Sequence, residues 1–103
     1  MNKLRRDLRA FASDRKWNHF HSPKNLSMAL MVEAAELLEI FQWMAEDDSK
    51  YPGDIKMKQI KDEIGDVQIY LTMIADKFDL CPVDMAKMKI EKNKLKYPLD
   101  TFS

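Results

Sequence analysis

An all-α fold is predicted by three features of this sequence. Apolar residues recur at helical spacing along most of the chain, only two glycines occur in 103 residues, and each of the four prolines sits where a helix can begin or a loop must run. A charged fraction of 33% leaves one face of each helix for solvent, so the helices are expected to be amphipathic. Residues 1–103 leave no room for a second independent core, and a single four-helix, bundle-like domain is expected.

The first helix is predicted from Lys3 to Lys16, burying Leu4, Leu8, Phe11 and Ala12 and exposing its arginines. It stops before KWNHFHSP. Ser22 can cap free amides and Pro23 lacks the amide that a first helical position leaves unpaired, so the second helix is predicted from Pro23 to Ala45. The polar break EDDSKYPGD, with Pro52 and Gly53, is the main loop. The third helix, Ile55 to Phe78, carries the cleanest stripe in the chain (Ile60, Ile64, Val67, Leu71, Ile74, Phe78) and should pack antiparallel to the second. Pro82 opens the fourth helix and Pro98 limits it. This last helix has two stripes, Val83, Ala86, Ile90 and Tyr97 on one side and Met85, Met88 and Leu95 on another, and so needs two covers. The first helix could supply one of them. With eight methionines and little area to bury, the expectation is an oligomer instead.

Lysine plus arginine and aspartate plus glutamate both number 17, so no net attraction to a nucleic-acid polymer or an anionic membrane is expected. The distribution is uneven. Basic residues gather at positions 3–16 and 87–96, and acidic ones from Glu33 to Asp48, a pattern that suits ordinary solvated faces or basic ends folded over an acidic centre. Cys81 is the sole cysteine, which excludes an intrachain disulfide or a multi-cysteine zinc site, and its leucine and proline neighbours make it structural. No membrane-length apolar run and no apolar signal core are present, so a soluble, unprocessed, cytoplasmic protein is expected.

Chemistry concentrates in two acidic pairs of equal spacing, Glu33 with Glu36 in MVEAAELLEIFQW and Glu63 with Asp66 in KDEIGDVQIYL. Helical positions three apart share a face, so each pair can aim two carboxylates at one point. One such pair is ordinarily a solvated or salt-bridged face. Here Glu33 falls near the middle of the stripe formed by Leu26, Ala29, Leu30, Leu37, Ile40, Phe41 and Met44, with Glu36 on its shoulder, while Glu63, Asp66 and Tyr70 flank the third helix's stripe. Carboxylates that border a core are neutralised by a cation or protonated. A metal site is favoured, and a structural ion-pair network is the alternative.

The run FASDRKWNHFHSPKNLSMALMVEAAELLEIFQW, with EIGDVQIYL and the later NKLKYP, resembles the MazG-like all-α nucleoside triphosphate pyrophosphohydrolases, most closely their small dCTP pyrophosphatase branch. The resemblance covers about residues 4–98 and joins E-x-x-E and E-x-x-D to a W-x-x-F-H-x-P-[KR]-N loop and a terminal N-x-x-x-Y-P. It implies Mg²⁺-dependent hydrolysis, with Mn²⁺ as a substitute, of a deoxynucleoside triphosphate to monophosphate and pyrophosphate in a house-cleaning role. dCTP or a related or modified deoxynucleotide is the first expectation. Related enzymes acting on dUTP or phosphoribosyl-ATP, and a non-enzymatic helical interaction module, are the alternatives. The family's assemblies imply a tetramer or a dimer.

Carried onto this chain, the resemblance assigns metal binding to Glu33, Glu36, Glu63 and Asp66, and catalysis to Glu36 with Glu39 in support. Glu39 could be a water-activating base, an outer partner or a surface acid. Substrate binding is implied for Trp17 and Trp43 as base-pocket aromatics, which give affinity by stacking but not base identity. His21 and Lys24 precede the acidic helix and could meet phosphate. Asn93 interrupts a stripe of the fourth helix and needs a hydrogen-bonding partner, and Tyr70 could floor the sugar. Leu8 stands where some members of the branch carry a histidine, and the linker between the second and third helices is shorter than in larger relatives, so base preference stays open.

Overall fold

In the computed structural model, which describes residues 2–15 and 21–99, the order is α1 (Asn2–Asp14), α2 (Pro23–Phe41), a short 3-10 turn (Asp48–Lys50), α3 (Asp54–Lys77) and α4 (Pro82–Lys96), with no strand among the described residues. The all-α prediction holds. Trp17, and the predicted end of the first helix at Lys16, lie outside the described residues. No helix is long and apolar enough to cross a membrane, among the described residues.

Local chemistry sets most helix ends. Ser22 is extended, its Oγ accepts the Asn25 amide at 3.1 Å, and Pro23 takes the first helical position of α2. At Gly53 the backbone turns to φ 85°, a value that suits glycine, immediately before α3. Pro82 begins α4 as expected. One end differs: α2 stops at Phe41 and not at Ala45. Gln42 makes a last helical bond to the Leu38 carbonyl at 2.9 Å, after which Met44 bonds to Phe41, tightening the turn. Trp43 is 91% exposed there, so its ring adds no packing that would extend the helix.

The principal contact is between α2 and α3, with α1 and α4 packed more sparsely on α3. Lys56 and Gln59, which precede Glu63 on α3, share a cleft with Glu39 and Ile40, which follow Glu33 on α2. The pair is therefore antiparallel. Its centre is small: Leu26, 1% exposed, Ile60, Ala12 and Thr72 are the buried residues among those described, and Thr72 Oγ1 accepts from Gln68 Nε2 at 2.7 Å.

Several expected core positions are open. On α3 the stripe splits: Ile60 is buried, whereas Ile64, Leu71 and Phe78 are exposed along one edge. Glu63, Val67 and Tyr70 are half-buried instead, and the apolar edge has no cover among the described residues. Phe11 is also exposed, with the Arg15 guanidinium 3.7 Å from its ring centroid, and Arg5, expected in solvent, is drawn in by acids on α3. Neither stripe of α4 is buried, since α1 rests on α3 and leaves Met85, Met88 and Leu95 exposed. The radius of gyration of 17.0 Å exceeds the roughly 13 Å of a compact chain of about 100 residues.

With so few buried side chains, each is expected to matter. Leu26→Ala should cost about 2–4 kcal/mol in urea unfolding at fixed protein concentration, from lost transfer energy plus a residual cavity. A cost below about 1 kcal/mol would mean that the site collapses and that Leu26 does not anchor α2.

Candidate functional site

The two acidic pairs meet across the α2–α3 seam. Carboxylate oxygens of Glu33, Glu36 and Glu63 all lie within 4.8 Å of one another, with Glu33 and Glu63 half-buried and Glu36 exposed. Asp66, one turn beyond Glu63 and half-buried, stands outside this tight group but is close enough for its charge to raise the pKa of both Glu33 and Glu63. The helix spacing explains the convergence. Three residues make most of a turn, so the second acid of each pair follows the first along the same face.

Their electrostatics are strained. Burial first, then hydrogen bonding with Glu63 and Glu36 and the charges of Glu36 and Asp66, push the Glu33 carboxyl from 4.5 up to about 7. Burial likewise raises Glu63, while a hydrogen bond from Glu33 acts against the rise. Glu33 Oε2 and Glu63 Oε2 are both buried and meet no donor. Two ionised carboxylates have no proton to share, so a proton held between them or a cation must complete the pair. Hard oxygen donors at this separation fit a divalent cation such as Mg²⁺ or Ca²⁺, and the orphaned oxygens are the positions it would fill.

Two hollows adjoin the carboxylates. An open cleft is lined by Glu36, Glu39, Ile40, Lys56, Gln59 and Glu63, which puts Glu39 on the solvent side of the acids. The other is an apolar recess formed by Leu8 and Phe11 of α1 with Ile69, Tyr70 and Met73 of α3, and bordered by Asp66, Asp7 and His21. Asp66 therefore lies between the acid cluster and the recess. Tyr70 and His21 both line this recess, and burial with the Lys77 charge holds the His21 pKa below its ordinary value.

Other expected residues stand apart. Lys24 is exposed in the first turn of α2, and Trp43 is in solvent beyond its end, so no base is enclosed by Trp43 within one copy. Asn93 is half-buried on α4, where its carbonyl accepts the Tyr97 amide at 2.8 Å, and it lines neither hollow. Lys56 and Gln59 were not singled out in the sequence. Their signal is their spacing from Glu63, seven and four residues earlier, which repeats the face of α3 that carries the acid.

A raised carboxyl pKa has a definite sign in stability. The folded chain holds the Glu33 proton more tightly than the unfolded chain, so without a divalent cation stability should fall as pH rises from about 4.5 to about 7 and stay low above. Glu33→Gln removes this penalty. In the presence of chelator, the variant's Tm relative to wild type should be higher at pH 8 than at pH 5, and Mg²⁺ should raise the wild-type Tm more than the variant's. A Tm difference that does not change with pH would remove Glu33 from the strained pair.

The sequence profile of the MazG-like family matches residues 28–103. dCTP pyrophosphatase 1 of Rattus norvegicus is 36% identical over 105 residues, and that of Homo sapiens 34% over 103 residues, covering 96% and 95% of this chain. The chain spans 59% of the length of these curated relatives. The crystal structure of a pyrophosphatase from Archaeoglobus fulgidus superposes with a TM-score of 0.88 at 40% identity, over 95% of this chain and 92% of that one. By sequence profile and by fold alike, this chain belongs to the MazG-like family.

Proposed function

We propose that this chain is a Mg²⁺-dependent nucleoside triphosphate pyrophosphohydrolase, acting on dCTP or a related or modified deoxynucleotide and releasing the monophosphate and pyrophosphate. The observation that carries the reading is the pair of buried oxygens without donors, Glu33 Oε2 and Glu63 Oε2, one helical turn from Asp66, which borders an apolar recess. Similarity to enzymes named dCTP pyrophosphatase 1 adds the substrate class. Residues 1–103 act as one helical domain, and the lone Cys81 suits a reducing cytoplasm.

Glu33, Glu36, Glu63 and Asp66 would hold the cation. When bound, Mg²⁺ neutralises phosphate charge and lowers the pKa of a coordinated water. Glu39, exposed in the same cleft as Glu36, is placed to accept a proton from the attacking water or to orient Glu36. Lys56 brings an ammonium to that cleft, where it can meet the phosphate chain. The recess takes the nucleoside: Tyr70 offers a ring for the sugar, Leu8 and Phe11 offer apolar contact to the base, and His21 stands at the border. Positioning and charge stabilisation are the main requirements of such chemistry, and no covalent nucleophile is needed.

The uncovered stripes on α3 and α4 support an oligomer of this chain, a tetramer or a dimer. In such an assembly the exposed Trp43, and Asn93 on the sparsely packed α4, become available to a neighbouring copy's nucleotide.

With Mg²⁺, a deoxynucleotide panel should yield pyrophosphate in a one-to-one ratio with monophosphate. Chelation should abolish turnover, and Glu36→Gln should lower kcat by at least about 100-fold while the circular dichroism spectrum is kept. Orthophosphate as the first product would move the reaction to another class, and a fully active Glu36→Gln would take Glu36 out of the metal's ligands. Preference for dUTP or phosphoribosyl-ATP would keep the chemistry and change the substrate.

A further inference from the structure

α1 rests on α3 through one fully buried side chain, Ala12, and an ionic clamp at the end of α3. Arg9 Nε donates to Asp76 Oδ2 at 2.7 Å and Arg9 Nη2 donates to Asp76 Oδ1, a bidentate pairing. Arg5 Nε lies 3.3 Å from the same Oδ1, its Nη1 3.5 Å from Asp79 Oδ1, and its Nη2 donates to the Leu80 carbonyl at 3.0 Å. The side chains of Arg5 and Asp76 are each 17% exposed, so this contact is less screened by solvent than the other ion pairs among the described residues.

The receiving end of α3 is itself well defined. Leu80 N–H bonds to the Ala75 carbonyl at 2.9 Å and Asp79 N–H to the Asp76 carbonyl at 3.1 Å, with Asp79 at φ 56° in the left-handed position usually taken by glycine. Two guanidinium groups beside this helix C-terminus also complement its partial negative charge. The clamp thus meets α3 at a fixed structure.

Its position relative to the recess gives it a further consequence. Leu8 lies between Arg5 and Arg9 in sequence, and it lines both the hollow that holds Arg5, Arg9 and Asp76 and the recess beside Asp66 and Tyr70. Apolar contact at Ala12 and the half-buried Leu4 and Leu8 is non-directional and lets α1 roll or slide, whereas a bidentate arginine–carboxylate pair fixes both distance and angle. Leu8 and Phe11 move with α1.

We propose that Asp76, held by Arg5 and Arg9, is a positioning residue for nucleotide binding that sets α1 against α3, so that Leu8 and Phe11 form the wall facing Asp66 and Tyr70. The proposal rests on the nucleotide reading of the recess given above. Asp76 lines neither the acidic cleft nor the recess. Its loss should therefore act on affinity for the nucleoside part and leave the chemical step in place.

The test is steady-state kinetics of the full chain with the best deoxynucleotide of the panel. Asp76→Asn should raise KM roughly tenfold with kcat within about twofold, Asp76→Glu should recover much of the loss, and Mg²⁺ affinity by calorimetry should be unchanged. Amide hydrogen exchange over residues 3–14 should be faster in Asp76→Asn. If that variant does not fold, Arg9→Gln, which removes the bidentate pairing and keeps Arg5, should show the same KM rise. A folded Asp76→Asn or Arg9→Gln with wild-type KM would overturn the proposal, as would a loss of Mg²⁺ affinity in parallel with KM. Wild-type protein that cleaves no nucleotide overturns the reading of the site and the clamp's role with it, so the two failures are told apart by the wild-type panel.

Discussion

Glu33 of α2 and Glu63 of α3 confront one another with buried oxygens at the seam where the two main helices meet. A seam of this kind cannot close on itself. Each carboxylate has been taken partly out of water, Glu63 raises the cost of ionising Glu33, the charges of Glu36 and Asp66 burden both, and the buried Oε2 of each meets no donor among the described residues. Neutralisation by a shared proton or by a cation is the only relief within the seam. The packing of α2 on α3 and the need for a neutralising proton or cation are thus two consequences of one arrangement, because the contacts that bury Leu26 and Ile60 also hold the acids together.

So small a core has a second consequence. The apolar edge of α3 at Ile64, Leu71 and Phe78 and both stripes of α4 stay open in a single copy, and the molecule is more extended than a compact chain of its length. The helices do not lack apolar residues. They lack a neighbour to bury them, and a second copy of the same chain supplies matching stripes without any new sequence. On the proposed reading, assembly would also bring aromatic and polar groups from α4 and the α2–α3 connection toward another copy's nucleotide, linking stability to substrate binding.

What was legible in the sequence was local. Ser22 and Pro23 announce the start of α2, Pro82 that of α4, and the register of Glu33 within an apolar stripe agrees with its half-buried position, whereas Glu36, read on the shoulder of that stripe, is exposed. The same wheel misjudges α3, because periodicity identifies an apolar face but not whether anything covers it. Ile64, Leu71 and Phe78 satisfy the period and remain exposed. The early end of α2 was hidden for a related reason: Gln42, Trp43 and Met44 carry no breaker, and only the lack of packing beyond Phe41 distinguishes them. Long-range pairs leave no local trace at all. Arg9 and Asp76 are 67 residues apart, and nothing near either residue names the other. Lys56 and Gln59 fall between these cases, visible on the wheel once Glu63 is taken as the reference point.

The helices divide the work unequally. α2 and α3 hold all four acids, and their mutual packing is the most extensive among the described residues, so the geometry of the acid cluster is tied to global stability. α1 contributes none of the acids and much of the recess wall, and it is docked at one end by arginines on Asp76. Substitutions on its inner face therefore alter the recess with little effect on the carboxylates. Leu8 is the clearest case, since its side chain faces the recess while its backbone is held between the two clamping arginines. On the proposed reading, a polar residue at that position would change which base edge can be satisfied without moving the four acids. If α1 selects the nucleoside and the α2–α3 seam cuts the phosphate chain, one acidic centre can serve different bases, and base preference belongs to a helix packed more sparsely than the seam itself.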